Sequence, residues 1–327
     1  MSIMHLHTLD VGHGDAIIIS LKSNVCARNI LVDGGKGNIG MNAILEKLFE
    51  LKRLDGIIVT HVDDDHIGGI INFIKYMNDV VKKEKPNFLE NIHEFFVIFN
   101  KFDESVISYR QGNMLQNELE KFKRGIGLLK INCHLVNSYD ISQEIILSGD
   151  ISININCLKK RGQVHNIDKD VANITMLTPS KNSVIDLMKD WFKYNSKKKD
   201  GNAIIVNGTS ISFLIEYGEK TLLMTGDAYI EEILEALNSL GKDKISKIDL
   251  VKLSHHGSYK NNDKLKELLD EYRCNKVFVS ADGSYGLPDE KLIEELKSQI
   301  GNLEIACTNE ITKVNYQILK KNEFKLQ

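Results

Sequence analysis

The sequence has few of the residues that define a disulfide framework or a flexible linker. Its 327 residues include only three prolines, so a long disordered linker is not expected. The cysteines are odd in number, scattered and never spaced as C-x-x-C, which indicates buried thiols in a reducing compartment and argues against a cysteine zinc site. They are Cys26, Cys133, Cys157, Cys274 and Cys307.

Long apolar runs and an excess of one charge are also absent. No stretch has the length of a membrane span, and the N-terminus lacks the pattern of a signal peptide, so we expect a cytoplasmic protein without a membrane partner. The net charge of −3 gives no global attraction for nucleic acid, which leaves local patches and bound metals for that purpose. The hydrophobic content of 42% is ordinary for a globular chain, and we predict one domain over 1–327.

Short apolar runs and turns predict a β-β-β-α-β order, with the last of these strands ending at His61, followed by a helix over Ile70–Val81. Residues from about 82 to 170 are less regular, and we interpret them as a mixed helix and strand insertion. Regular secondary-structure patterns resume after Asn202. They predict a hairpin around Gly218, followed by alternating helices and strands.

The most informative stretch is His61-Val62-Asp63-Asp64-Asp65-His66-Ile67-Gly68-Gly69. A strand end, a short turn and a first helical turn would bring its imidazoles and carboxylates into one small volume. Converging nitrogen and oxygen donors are what a pair of divalent metals needs. One of the three aspartates can instead serve only as the helix N-cap.

Two further polar clusters also follow apolar strands. Asp227 is the natural bridge between two ions, although it can also be a turn residue after Gly226. Of the next pair, we predict His255 as the ligand and His256 as the residue that faces the substrate, or the reverse order. In the stretch Asp10–Asp15, glycines flank His13 and allow close approach of the backbone.

These motifs together resemble the metallo-β-lactamase fold superfamily and, within it, the hydrolase domain of ComEC-type DNA-uptake proteins. The resemblance implies an α/β fold, a four-layer αβ/βα sandwich that carries the insertion. Because ComEC proteins have transmembrane helices and this chain shows none, membrane DNA uptake does not transfer. The matching stretches occur in the family's order and cover both halves: Leu9–Ala16, Val32–Gly35, Thr60–Gly69, Asn207–Ser210, Leu222–Ala228 and Ser254–Ser258.

The resemblance also implies a dinuclear centre, with zinc or manganese as the ions, that hydrolyses phosphodiesters with a metal-bridging hydroxide. Nucleic acid or a nucleotide is the expected substrate. We predict the following roles: metal ligands His61, Asp63, Asp65, His66, Asp227 and His255; catalytic residues Asp65, His256 and His13; residues that orient ligands or contact substrate Asp15, Asp33, Asn207 and Ser258. His61 and Asp63 are assigned to one ion, Asp65, His66 and His255 to the other, and Asp227 to both.

Three departures from the superfamily pattern bear on activity. Asp63 stands where most members have a second histidine, which favours Mn²⁺ or Mg²⁺ relative to Zn²⁺. Asn207 occupies the place of a mid-chain histidine, and Leu287 replaces the histidine of a Gly-His-Pro motif. Two alternatives therefore stay open: a hydrolase of a small ester, lactone or cyclic nucleotide, and a catalytically weak binding or effector subunit. The remaining histidines have no partner pattern and receive no predicted function: His5, His7, His93, His134 and His165.

Overall fold

The strands of the chain form two main sheets. The structure is a computed structural model that describes most of the sequence. The described residues are 2–100, 110–138, 145–147, 151–157, 170–180, 182–187, 189, 203–241, 244–313 and 316–327. The first sheet has the order β17-β1-β2-β3-β4-β5-β6. Its strands are β1 (Ile3–Thr8), β2 (Ile17–Lys22), β3 (Ala27–Val32), β4 (Gly56–Ile58), β5 (Glu94–Phe99), β6 (Asn132–Asn137) and β17 (Glu323–Leu326).

The second sheet is built mainly from the later half of the chain and has the order β14-β13-β12-β11-β10-β9-β8-β7. Its strands are β7 (Ile145–Leu147), β8 (Ser152–Cys157), β9 (Val171–Thr178), β10 (Ser212–Tyr217), β11 (Lys220–Met224), β12 (Leu250–Lys252), β13 (Lys276–Val279) and β14 (Glu304–Cys307). A small separate ribbon pairs β15 (Ile311–Thr312) with β16 (Gln317–Ile318).

Helices cover the outer face of each sheet. The first sheet carries α1 (Gly37–Leu51), α2 (Asp64–Val80) and α3 (Arg110–Leu128). The later helices are α4 (Ala203–Asn207), α5 (Ile230–Leu240), α6 (Leu265–Glu271) and α7 (Glu290–Gln299). In the described part of the chain, every helix is too short or too polar to cross a bilayer.

The alternation of side chains along the strands explains the layers. On β2, Ile17 and Ile19 point into the core between the sheets, where they join Phe213 and Ile215 of β10. Ile18 points the other way, into the core under the helices. Each buried Ile or Phe side chain stabilises the fold by roughly 1.5–3 kcal/mol relative to an exposed one. The predicted αβ/βα sandwich is therefore confirmed.

Several predicted element boundaries change. The helix after the His61 motif begins at Asp64 and not at Ile70, because Asp64 and Asp65 occupy its first turn, where carboxylates favour the helix dipole. The sequence also predicts a terminal strand over Lys313–Leu319. The structure instead has the short β16 within that range, and the last strand of the first sheet is Glu323–Leu326. The sequence also predicts a packing role for Trp191 in a helix and an exposed charged loop over 196–200, and both lie outside the described residues.

The segment interpreted as an insertion contributes strands to both sheets. β5 and β6 extend the first sheet in parallel pairing beside β4, with α3 between them in the chain. β7 and β8 form the far edge of the second sheet. The domain boundaries proposed from the sequence remain a prediction.

Candidate metal centre

The polar strand ends of the two sheets meet at one rim. His61 follows β4, Asp227 follows β11, and the two adjacent histidines follow β12. The Asp227 carboxylate is buried between them, with 2% of its surface exposed. Residues more than a hundred positions apart in the chain therefore face one another here.

Each oxygen of Asp227 faces a different set of imidazoles. Oδ2 lies 3.6 Å from Nε2 of His61 and 3.8 Å from Nε2 of His255. Oδ1 lies 3.4 Å from Nε2 of His66. A carboxylate with separate neighbours on its two oxygens has the placement required to bridge two cations.

The second half of the rim is built around Asp65. Its Oδ2 lies 3.1 Å from Nε2 of His256 and 3.5 Å from Nε2 of His13. Nε2 of His256 is in turn 3.3 Å from Nε2 of His66. Asp65, His66 and His256 therefore form one side of the centre, and His13 adjoins them.

The structure places His256, and not His255, beside Asp65 and His66, while the predicted roles of the two histidines remain a prediction. His256 lies with Asp65 and His66, whereas His255 lies with His61 on the Asp227 Oδ2 side. The physical reason is that β12 ends at Lys252, and both histidines lie in a turn with left-handed backbone (φ +45° for His255 and +52° for His256), so the alternation of a strand does not apply. The His256 side chain is 1% exposed and that of His255 is 34% exposed.

Four of the imidazoles at the centre, those of His61, His66, His255 and His256, have their other nitrogen beside a polar partner. Nδ1 of His66 pairs with Asp33 at 2.8 Å, and Nδ1 of His256 contacts the carbonyl oxygen of Ser280 at 2.8 Å. Nδ1 of His61 lies 3.0 Å from the hydroxyl of Thr60. Nδ1 of His255 lies 3.1 Å from the side-chain oxygen of Asn261. Such partners fix the ring orientation and leave Nε2 directed at the centre.

Asp33 is itself rigid, which makes it an effective partner for His66. It is fully buried, and it accepts hydrogen bonds from the backbone N–H of Thr60 at 2.8 Å and from the Thr60 hydroxyl at 2.6 Å. The carboxylate therefore joins the end of β4 to the first turn of α2.

Asp15 and Lys252 form a buried ion pair below the centre. Nζ of Lys252 lies 2.6 Å from Oδ2 of Asp15, and it also donates to the carbonyls of Gly226 and Leu253 at 3.1 Å each. Asp15 stands 3.7 Å from Nδ1 of both His66 and His256. Lys252 was not predicted as a residue of the site, although a lysine inside an otherwise apolar strand is a signal that the sequence offers.

Glycine at position 14 is required by the contact between the first loop and α2. It has φ +135°, and a Cβ there would meet the backbone of Asp65. The close approach lets the N–H of Asp15 bond to the carbonyl of Asp65 at 3.1 Å. This contact fixes the His13 loop against the turn that carries Asp65.

Other predicted residues lie at the margin of the centre. Asp63 occupies the N-cap position of α2 without making a side-chain capping bond, and its carboxylate is 3.7 Å from Nε2 of His61. Asn207 lies 3.4 Å from Nδ1 of His255. Ser258 contributes its carbonyl to Asn262, and its hydroxyl joins none of these groups in the described residues. Asp64 points away and accepts a hydrogen bond from Gln111.

The charged groups of the centre shift one another's pKa values. Burial alone would raise the pKa of Asp227, but the nearby His66 and His61 outweigh burial and hold it well below its usual range. Burial opposes protonation of His66, but Asp227 and Asp15 raise the pKa of His66 above its ordinary value. The surrounding carboxylates thus favour positive charge at the point where the Nε2 atoms converge.

The residues fit a divalent cation. Within the described part of the chain, Nε2 of His61 and Oδ1 of Asp227 are buried without a hydrogen-bond partner. Leaving such atoms unsatisfied costs about 1–3 kcal/mol each, and a coordinated ion removes that cost. Three groups around the centre each have ligand atoms within 4.8 Å of one another: His61, His66 and Asp227; His13, Asp65 and His256; and Asp15, Asp33 and His66.

The fold and the rim of histidines and aspartates together define a metal-binding hydrolase scaffold. Residues 10–280 match the family profile of the metallo-β-lactamase superfamily, so the chain belongs to that superfamily. Its members are generally metal-dependent hydrolases, and the fold usually binds divalent metals. The finer similarity to ComEC-type proteins remains a prediction.

Comparison with solved structures gives the same fold at low identity. Unliganded yeast PDE1 is 11% identical with a TM-score of 0.50, and the match covers 99% of each chain. YhfI from Bacillus subtilis is 13% identical with a TM-score of 0.49, covering 99% of this chain and 100% of that one. Zn²⁺-bound PqqB from Methylobacterium extorquens is 10% identical with a TM-score of 0.46, covering 93% and 98%. Sequence comparison with curated proteins found no match.

Proposed function

We propose that this chain is a dinuclear metal-dependent hydrolase that cleaves phosphodiester bonds. The observation that supports it best is the set of imidazoles whose Nδ1 atoms are fixed and whose Nε2 atoms converge on Asp227. Preorganised donors of this kind lose little energy on binding a cation. The similarity in fold to yeast PDE1 is compatible with this substrate class.

In this proposal the ligands divide between the two oxygens of Asp227. His61, Asp63 and His255 would hold one ion, and Asp65, His66 and His256 the other, with Asp227 shared. When bound, the ions would supply an activated water and neutralise charge on the phosphoryl oxygens.

The chain's own residues would orient the substrate around that centre. His13 adjoins Asp65 at the surface of the rim, with 20% of its side chain exposed. The ring of Tyr285 stands edge-on to His13, with 4.8 Å between centroids, and is 84% exposed. His13 would contact the phosphoryl group or the leaving group, and Tyr285 would contact the organic part of the substrate.

The decisive experiment measures hydrolysis of bis(p-nitrophenyl) phosphate, DNA and RNA with added Mn²⁺ or Zn²⁺. Asp65→Asn should lose at least about a hundredfold in kcat/KM, because an amide binds a cation far more weakly than a carboxylate. Asp64→Asn is the matched control, since its carboxylate faces Gln111 and should leave activity unchanged. Equal rates for the wild type and for the Asp65→Asn, Asp227→Ala and His61→Ala variants on every substrate would refute the proposal.

A second candidate is a hydrolase of a small phosphodiester, such as a cyclic nucleotide. It is favoured by carboxylates at the rim: Asp63 is 41% exposed, and Asp282, also exposed, lies beside Gly12. Acidic groups repel a polyanion more than a small substrate. Binding of nucleic acid should weaken steeply as salt is raised, whereas turnover of a small ester should change little.

A further inference from the structure

The edge of the first sheet carries another cluster of metal-ligating side chains, composed of residues outside the candidate centre. His5 and His7 are two positions apart on β1, so their side chains lie on the same face. Glu323 of β17 stands directly opposite His7 in the antiparallel pairing. The three side chains therefore meet on one face of the sheet.

The three residues offer ligand atoms that all lie within 4.8 Å of one another. Nε2 of His5 is 3.5 Å from Oε2 of Glu323, and Nδ1 of His7 is 3.2 Å from Oε1 of Glu323. Zinc bonds of about 2.0–2.1 Å in a tetrahedron place neighbouring ligand atoms roughly 3.3 Å apart. The ring centroids of the two histidines are 4.3 Å apart.

Burial separates the cluster from bulk water on the side of β1. His7 is 3% exposed, and the side chain of His5 is 17% exposed. Where water is excluded, the attraction between a cation and a carboxylate such as that of Glu323 is stronger.

Charged groups of both signs surround the cluster. A cavity of about 290 Å³ adjoins His7 and Glu323, and its other lining residues include Asp10, Glu46, Glu50 and Lys47. Nζ of Lys47 is 3.3 Å from Glu323 but only 2.9 Å from Glu50. Lys47 can therefore stay paired with Glu50 when Glu323 turns towards an ion. The affinity for a cation is reduced by the positive charges near His5, which are those of Lys22, Lys47 and Lys325.

We propose that His5, His7 and Glu323 form a separate binding site for a zinc-class divalent cation, with water completing the coordination. Such an ion would join β1 to β17 and so hold the last strand of the first sheet in place. The proposal is independent of the hydrolase activity, because it uses none of the residues of the candidate centre.

The test is the number of Zn²⁺ ions bound per chain, measured by equilibrium dialysis and metal analysis. The wild type should bind one ion more than Glu323→Gln and His7→Gln. His134→Gln is the matched control, because His134 pairs with Glu94 on strands β5 and β6 of the same sheet without a second histidine. Excess Zn²⁺ should also raise the Tm of the wild type more than that of Glu323→Gln.

Loss of ions from the candidate centre is distinguished by His61→Ala, which should keep the ion at His5 and His7. Because the Glu323 side chain is 55% exposed, its substitution should leave the fold intact even if His7→Gln does not fold. Equal Zn²⁺ numbers for wild type and Glu323→Gln, with equal increases in Tm, would overturn the proposal.

Discussion

Substitution of Gly69 by alanine tests the packing that places the candidate centre. Gly69 lies in α2, and its N–H bonds to the carbonyl of Gly35 at 2.7 Å. An added Cβ would fall 1.9 Å from the carbonyl oxygen of Gly34. Ordinary contact would require α2 to move away by about 1.5 Å, which breaks this hydrogen bond and the bond of 2.8 Å from Gly34 N–H to the carbonyl of His66.

The cost can be worked from these contacts. Overpacking costs about 1–3 kcal/mol, and each lost backbone bond adds about 1 kcal/mol. The better helix propensity of alanine returns up to about 1 kcal/mol. The net destabilisation of Gly69→Ala is therefore about 3 kcal/mol. For a chain of this length, that lowers Tm by roughly 4–5 °C.

The assay is thermal unfolding followed by circular dichroism at one fixed scan rate. Gly127→Ala is the matched control, since Gly127 is an exposed residue of α3 with nothing within 4 Å of an added Cβ. It should leave Tm unchanged or raise it by about 1 °C. Gly69→Ala should also bind metal more weakly, because α2 carries His66. A Tm for Gly69→Ala equal to that of Gly127→Ala would refute this description of the packing.

Three further predictions concern individual side chains. Asp33→Asn should weaken metal binding by about 10–100-fold in a chelator competition, because the amide orients the His66 ring less well. Unchanged affinity would show that Asp33 does not orient His66 for metal binding. Lys252→Met should lower the free energy of unfolding by about 3–5 kcal/mol in a denaturant titration, because it leaves the Asp15 carboxylate buried without its cation. A double substitution that also removes the Asp15 carboxylate should recover part of the loss. Burial and neighbouring glutamates raise the pKa of Glu232 from its ordinary value of 4.5 to about 6. The stability that this side chain contributes is therefore fully present below pH 4.5, and it is lost as the pH rises through about 6. Glu232→Gln should therefore raise Tm by about 1–2 °C at pH 8 and leave it unchanged at pH 4.5, and an equal effect at both pH values would contradict this.

The sequence predicts the layers of the fold well because local patterns determine them. Alternating apolar residues such as Ile17 and Ile19 place a strand between two layers, and the hairpin at Gly218 follows from its turn residues. The last strand, Glu323–Leu326, was missed because its pairing with β1 depends on a contact across almost the whole chain. No local pattern in a four-residue strand identifies such a partner.

The candidate centre was predictable to the level of motifs but not of individual contacts. The His61 motif and Asp227 follow apolar strands, and strand ends of packed sheets commonly meet. The partners of His5 and His7 were not visible, because Glu323 is remote in sequence. Lys252 had a local signal, but its partner Asp15 comes from the other sheet's first loop. Long-range pairing decides all of these contacts.

The position of His255, which lies beside His61 and not beside His66, changes the expected metal chemistry. With His255 beside His61, the Asp227 Oδ2 side gains a second imidazole to accompany Asp63. That side is then less oxygen-rich than the sequence indicates, and its expected bias towards Mn²⁺ is smaller.

The two sides should nevertheless differ in affinity. His255 and Asp63 are partly exposed, whereas His66 and His256 are buried and fixed by Asp33 and the carbonyl of Ser280. A chelator titration of the zinc-loaded protein should remove one ion from the centre before the other. His255→Ala should weaken the ion that leaves first, and His256→Ala the ion that leaves last. The opposite pattern would return His255 to the side of Asp65 and His66.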